Sequence, residues 1–314
     1  MIFKLKKRMQ KRNQYEIDYN QRIIEKDNEL EGKIKKQIQE FLIKDKMPLF
    51  NNIEIETINW CNGTCSFCPV NKYIDPRKHS VMEKELFQKI IRELKDINYK
   101  DAIALHSNNE PLLDKRLVEL AKYVKEELPE SFLYIFTNGT LMTLKKFKNL
   151  IKYLDLIVID NYNDDLKLIT PVKEIYDYCK KNPELKEKVL IEKRLQNQIL
   201  TSRGGQSKNR NDIIKLKSSC LLPFNKIVIQ SNGIIPLCCC DPFAKVVLGD
   251  LNKNTLVEIW EGKKHTSIIK KLSKNNPRKR INLCKNCDVL TDKMYSIPYT
   301  KEDILRYWNL IENE

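Results

Sequence analysis

From residue 53 to about residue 200, short runs of apolar, β-favouring residues alternate with longer stretches whose apolar positions recur at helical spacing. The strand-like runs cover 53–57, 102–106, 133–136, 156–159 and 189–192, and the pattern predicts helices over 83–94, 115–127, 144–153 and 172–181. Strands alternating with helices imply a parallel sheet joined by right-handed crossovers. Five or six such units predict an open or partial barrel, not a closed eightfold one. In such α/β architectures the chemistry sits at the C-terminal ends of the strands.

Upstream, residues 1–47 are highly charged, and Ile17, Ile23, Ile24, Leu30, Ile34, Ile38, Phe41 and Leu42 recur at roughly helical intervals. One or two amphipathic helices on the outside of the main domain are expected, with Gly32 as a break between them. Such a segment would serve equally to contact a partner. Downstream, Ser231-Asn232-Gly233 between 226–230 and 234–237 is a hairpin signal, because Asn-Gly favours the positive φ of tight turns. The expected division is a helical extension over 1–50, a barrel over 51–215, a cysteine-rich region over 216–292 and a C-terminal helix over 293–314.

Composition narrows the classes. Hydrophobic residues make up 41% and aromatic residues 8% of the 314, as in ordinary globular proteins. No run of 18 apolar residues suggests a membrane span. The basic start lacks the apolar core of a secretory signal, so a cytoplasmic protein is expected. Net charge is +15, from 57 Lys+Arg against 42 Asp+Glu, which favours anionic partners. A Lys-rich, Asn-rich bias with solvated faces explains it more simply. The basic stretches 4–12 and 270–280 lack interleaved aromatics, so no nucleic-acid partner is expected. The ten Cys fall in close spacings that read as metal ligation in a reducing compartment.

Cys61, Cys65 and Cys68 form a C-x3-C-x2-C run straight after the first strand. Fe–S clusters normally take four Cys, so three suit a [4Fe–4S] cluster with one iron open to a cofactor or substrate. A structural zinc site is the alternative, but it usually shows paired or His/Cys ligands, and His79 has no matching spacing. A second set comprises Cys220, Cys238, Cys284 and Cys287, with Gly233 five residues before Cys238. Four thiolates make a complete cage, for a second cluster or a zinc ribbon. Cys179 sits in a helical pattern and reads as core.

The three-cysteine run, with Phe67 just before its last member, resembles the radical S-adenosylmethionine (radical SAM) enzymes. The resemblance implies that the open iron chelates the amino and carboxylate groups of S-adenosylmethionine, and that reduction releases a 5′-deoxyadenosyl radical. It places Phe67 near the adenine. Ser107-Asn108-Asn109-Glu110-Pro111 looks like the Gly-Gly-Glu-Pro motif that binds the methionine amino group, with Asn108 and Asn109 in place of the glycines and Glu110 as the charge-assisted partner. Asn138 and Asn161, at the ends of the third and fourth strands, are implied to contact the cofactor, with simple turn roles as the alternative. His79, His106 and His265 read as structural.

The downstream cysteines resemble the SPASM/twitch extensions. A full SPASM domain needs seven Cys; the position after Cys287 at C-x5-C spacing is Lys293, so the single-cluster twitch form fits better. Cys238 is assigned by its spacing to Gly233, with Cys239 as the alternative ligand. The cofactor set is therefore S-adenosylmethionine and two [4Fe–4S] clusters, served by a flavodoxin- or ferredoxin-type electron donor. The four positions resemble those of the aminocyclitol-oxidising type of twitch enzyme, which implies that Arg203 faces the substrate as an anion or hydroxyl anchor. Hydrogen abstraction then oxidises or epimerises a sugar, cyclitol or nucleotide-sugar; epimerisation would need a thiol such as Cys239 or Cys240. Maturation of a ribosomally made peptide is the rival activity, and a non-catalytic Fe–S electron-transfer protein is the rival class.

Overall fold

The computed structural model of this protein describes residues 2–44, 46–294 and 297–312, with side chains from residue 14 onward. The chain runs α1 (Ile2–Leu42), β1 (Asn52–Ile55), α2 (Lys84–Asp96), β2 (Ala102–Ala104), α3 (Leu117–Glu127), β3 (Phe132–Thr137), α4 (Leu144–Leu150), β4 (Leu156–Tyr162), α5 (Thr170–Lys181) and β5 (Val189–Arg194). After a long connection come α6 (Leu222–Asn225) and β6 (Lys226–Ile229), which pairs with β1. The sheet is all parallel, in the order β5-β4-β3-β2-β1-β6, with β5 and β6 as its free edges. It is the expected partial barrel, and its sixth strand comes from beyond residue 215.

Strand alternation sorts the residues between two faces. Glu54 stands opposite Ala104, Ala104 opposite Tyr134, and Phe136 opposite Val158, so these share the inner face. Ile53, Ile55, Ile103, Leu133, Ile135 and Ile157 take the other face and are wholly buried. Helices cover that face; α2 alone buries Leu86, Phe87, Ile90, Ile91 and Leu94. Each such side chain contributes roughly 1.5–3 kcal/mol. The inner face carries the polar groups, and there the site is built.

Of the one or two N-terminal helices expected there is one, and one other expectation changes. α1 is one helix through Gly32, whose missing side chain faces open space. A mid-helix glycine costs about 1 kcal/mol, and contacts on both sides of it offset that. Ile34, Ile38 and Phe41 enter the core, whereas Ile17, Ile24 and Leu42 are exposed. Between residues 16 and 27 of α1 the buried side chains are polar: Glu16, Asn20 and Asp27. The expectation that changes is at Asn232-Gly233. The turn forms, with Gly233 at φ +85° and its N–H donating to the Gln230 carbonyl at 2.8 Å. The flanking strands then part. β6 stays in the main sheet, while β7 (Ile234–Pro236) pairs antiparallel with β8 (Val247–Asp250).

The cysteine-rich part continues through α7 (Leu256–Trp260) and α8 (Lys263–Leu272). α9 (Lys301–Glu312) returns to the barrel edge, where Trp308 donates to the Val189 carbonyl at 2.8 Å. Among the described residues no helix is long and apolar enough to cross a membrane.

Candidate functional site

The three-cysteine loop leaves the C-terminal end of β1 and folds on itself. The Cys68 N–H donates to the Cys65 carbonyl at 3.1 Å, and Asn71 Nδ2 donates to the carbonyls of Cys65 and Cys68. A Cβ at Gly63 would lie 3.3 Å from Cys61 Sγ and 3.9 Å from Cys65 Sγ, so glycine keeps the space between these thiols clear. Its N–H donates to Cys61 Sγ at 3.2 Å. Burial pushes the Cys61 and Cys65 thiols up to about 12, so loading a metal must expel their protons.

All three cysteines open onto one cavity at the C-terminal end of the sheet, shared with Phe67, Asn109 and Asn138. The Asn109 Oδ1 accepts from the Ser107 N–H at 2.9 Å, but its buried Nδ2 has no partner among the described residues. An orphaned buried donor costs about 1–3 kcal/mol. A carboxylate-bearing cofactor beside the open iron would satisfy it, so these residues fit S-adenosylmethionine on a three-cysteine cluster. Asn138 Nδ2 donates to Asn62 Oδ1 at 2.8 Å and lies 3.9 Å from Cys61 Sγ, braced against that thiol.

Glu110 is 1% exposed, and its carboxylate accepts from the Leu112 N–H at 3.0 Å, the Thr137 hydroxyl at 2.6 Å and the Asn138 N–H at 2.8 Å. Burial raises its pKa to about 6 despite those bonds. It braces the β2 loop against the end of β3. Asn108 explains its departure from glycine. Its Oδ1 accepts from Arg203 Nη1 at 2.7 Å, and its Nδ2 donates to the Cys239 carbonyl at 3.1 Å. The side chain thus ties the barrel to the cysteine-rich part. Asn161 is a correction. It alternates outward from β4, donates to the Lys167 carbonyl and accepts from the Ile169 N–H, and so orders the loop before α5. Its neighbours Asp160 and Tyr162 line the cavity instead.

Cys220, Cys238, Cys284 and Cys287 are buried and lie within electrostatic reach of one another. Cys240 lies against the thiols of Cys238, Cys239 and Cys287 and does not line the cavity. Cys239 does line it, so the Cys238–Cys240 run is split between the two centres. Cys179 is buried in α5 as expected. Arg278, in the basic stretch read as solvated, is 2% exposed. Its guanidinium donates to the carbonyls of Ser218, Ser219, Cys287 and Val289 and bears on Cys220, Cys284 and Cys287. It is a buried cation beside these thiols, a placement its charged sequence neighbours concealed.

Arg203 occupies the left-handed region, with φ +47°. It lines the cavity, while the next N–H, from Gly204, donates to Cys287. One turn therefore serves both centres. A non-glycine residue held there stores about 1–3 kcal/mol of strain, and its surroundings must hold it. Ser202 provides one hold, its N–H donating to Asp288 at 2.6 Å.

His106 also lines the cavity. Its Nδ1 accepts from the Phe136 N–H at 3.1 Å, so the ring is neutral with its proton on Nε2, and burial pulls its pKa down to about 4. Between roughly pH 4 and 6.5 the unfolded chain binds a proton that the folded one does not, so stability falls as pH falls through that window, by about 3 kcal/mol. Urea unfolding at pH 7 and pH 4.5 should show the loss, and His106→Gln should flatten it. An unchanged slope in the variant would show that other groups carry the pH dependence.

Residues 55–171 match the model of the radical SAM superfamily, and residues 220–288 match an iron-sulfur cluster-binding domain, SPASM. The S-adenosyl-L-methionine-dependent 2-deoxy-scyllo-inosamine dehydrogenase of Niallia circulans is 29% identical over 252 residues, which cover 79% of this chain and 97% of that protein. The crystal structure of BtrN in complex with AdoMet and 2-DOIA superimposes with a TM-score of 0.70 at 26% identity, covering 80% of this chain and 98% of that one. Streptococcus suis SuiB bound to precursor peptide SuiA gives a TM-score of 0.54 at 15% identity, over 81% of this chain and 73% of that one, a likeness of fold alone.

Proposed function

Because this chain belongs to the radical SAM superfamily, with a SPASM-type domain binding Fe–S, we propose that it oxidises a secondary alcohol of a cyclitol or sugar, using two [4Fe–4S] clusters. When bound, the three-cysteine cluster and S-adenosylmethionine supply a 5′-deoxyadenosyl radical that removes hydrogen from carbon, and the four-cysteine cluster supplies a one-electron acceptor.

The chain's own residues do the rest. Cys61, Cys65 and Cys68 hold the first cluster, with Gly63 and Asn138 against Cys61. Asn109 offers its unspent donor to the cofactor, Phe67 packs beside it, and Glu110 holds the loop that carries Asn109. Cys220, Cys238, Cys284 and Cys287 hold the second cluster, with Arg278 balancing its charge. Arg203 anchors the substrate between the two. One observation supports this reading above the others: the three thiols of one short loop open onto a single cavity that Phe67, Asn109, which carries a buried donor without a partner among the described residues, and Arg203 also line.

Anaerobic incubation of the reconstituted, reduced protein with 2-deoxy-scyllo-inosamine and a panel of cyclitols and sugars tests it. Oxidation gives a product two hydrogens lighter and one 5′-deoxyadenosine per turnover; 5′-deoxyadenosine with no lighter product from any of them contradicts it. Cys239 in the cavity favours a second reading, epimerisation by hydrogen return from its thiol. That outcome leaves the mass unchanged in ordinary water and adds one deuterium in heavy water. Ligand assignment has its own check. Cys238→Ala should lower iron from roughly eight to roughly four per chain, and Cys239→Ala should leave it unchanged. The reverse pattern would move the ligand to Cys239.

A further inference from the structure

Two cations face the cavity with most of their donors unspent. Lys226 begins β6, and its ammonium pairs with Glu54 at 2.5 Å, while the other Glu54 oxygen accepts from the Ser107 hydroxyl at 2.8 Å. Both side chains of the pair are largely buried and line the cavity. An ammonium has three donors, and Glu54 is the one acceptor that Lys226 Nζ meets among the described residues. Arg203 has five N–H donors, of which Asn108 takes one. No carboxylate pairs with Arg203 among the described residues.

Glu54 therefore cancels Lys226, and no carboxylate cancels Arg203 among the described residues. The other acids on the cavity wall are already engaged: Asp160 pairs with Arg194 at 2.7 Å, and Glu110 accepts from the scaffold. Cys239 lines the same cavity as both cations, and Asn108 bridges Arg203 Nη1 and the Cys239 carbonyl. Arg203 also bears on Cys68, so a group held there lies beside the three-cysteine loop.

A protonated amine would meet two cations there and find Glu54 taken. A neutral polyol would accept hydrogen bonds but leave the charge unbalanced. We propose that the substrate carries an acidic group, a carboxylate or a phosphate, bound between Lys226 and Arg203 beside Cys239. This rests on the reading of the cavity as a radical site and narrows its substrate to an acidic polyol. The net charge of +15 would draw such a molecule in.

Calorimetry on the cluster-loaded protein with S-adenosylmethionine bound provides the test, using inositol monophosphate, D-glucuronate, myo-inositol and 2-deoxy-scyllo-inosamine as probes. At least one acidic probe should bind about tenfold more tightly than myo-inositol, with the amine weakest; which acid wins tells phosphate from carboxylate. Arg203→Gln, and the double change Lys226→Gln with Glu54→Gln that keeps a neutral hydrogen-bonded pair, should each lower the acid-to-neutral ratio about tenfold, and Lys226→Arg should retain it. Because a ratio is read, lost folding does not mimic the result. No measurable binding of either acid, a neutral or amine ring bound as tightly as both acids, or a ratio unchanged in both variants overturns the proposal. If the radical reading itself fails, reduced protein with full iron makes no 5′-deoxyadenosine, a separate outcome.

Discussion

Serine in place of Cys65 is expected to reduce 5′-deoxyadenosine formation to background while iron falls only by half, from roughly eight to roughly four per chain. Cys65 is buried at the centre of a loop that supplies just three thiols, so no spare ligand replaces it. Cys179 lies in α5 and does not line the cavity, and Cys239, whose carbonyl accepts from Asn108, belongs to the segment that follows β7 and not to this loop. The matching change at Cys287 should do the opposite: the second cluster is lost, substrate oxidation stops, and substrate-free cleavage of S-adenosylmethionine persists. If Cys65→Ser protein still cleaves S-adenosylmethionine, or loses all its iron, the two centres are not divided as described.

The largest expected effect on stability lies far from the thiols. Arg210 is fully buried and joins three segments: it pairs with Glu16 of α1 at 3.0 Å, donates to Asn20 Oδ1 at 2.6 Å, and pairs with Asp288, the residue after Cys287. Tyr19 covers its guanidinium at 4.6 Å. Breaking a buried pair strands the partner charge, here two of them, and costs about 3–5 kcal/mol. Arg210→Ala should therefore lose about that much in urea unfolding, whereas Glu16→Gln, whose amide oxygen can still accept from Arg210, Asn211 and Asp212 and which gives up only the bond from the Asn211 side chain, should lose about 1 kcal/mol. The same Asp288 accepts from the Ser202 N–H, so the variant should also loosen the turn that aims Arg203. A loss below about 1 kcal/mol in Arg210→Ala would mean that α1 is not held by this network.

What could be read from the chain follows the physics of each signal. Strand and helix periodicity located the barrel because its outer face is uniformly apolar and wholly buried. Cysteine spacing picked out the three thiols that open onto one cavity because residues in one short loop have little freedom to be elsewhere. Parity was the missed signal at Asn161: with Asp160 and Tyr162 inward on β4, an Asn between them must face out. The Asn-Gly turn was correctly placed, but a turn fixes only its own bonds, and β6 found β1 instead of β7. Arg210 and Arg278 were illegible for a different reason. Buried arginines look like surface ones until their partners, here 194 and 60 residues away for Glu16 and the Ser218 carbonyl, are brought beside them. Glu16, Asn20 and Asp27 were hidden likewise, since an apolar-periodicity search passes over a polar contact face.

The most direct measurement is chromatographic quantification of 5′-deoxyadenosine after anaerobic reconstitution, chemical reduction and addition of S-adenosylmethionine to the wild-type chain. Formation of 5′-deoxyadenosine together with an equal amount of methionine is the predicted result. Intact S-adenosylmethionine over protein that carries its full iron would contradict the account.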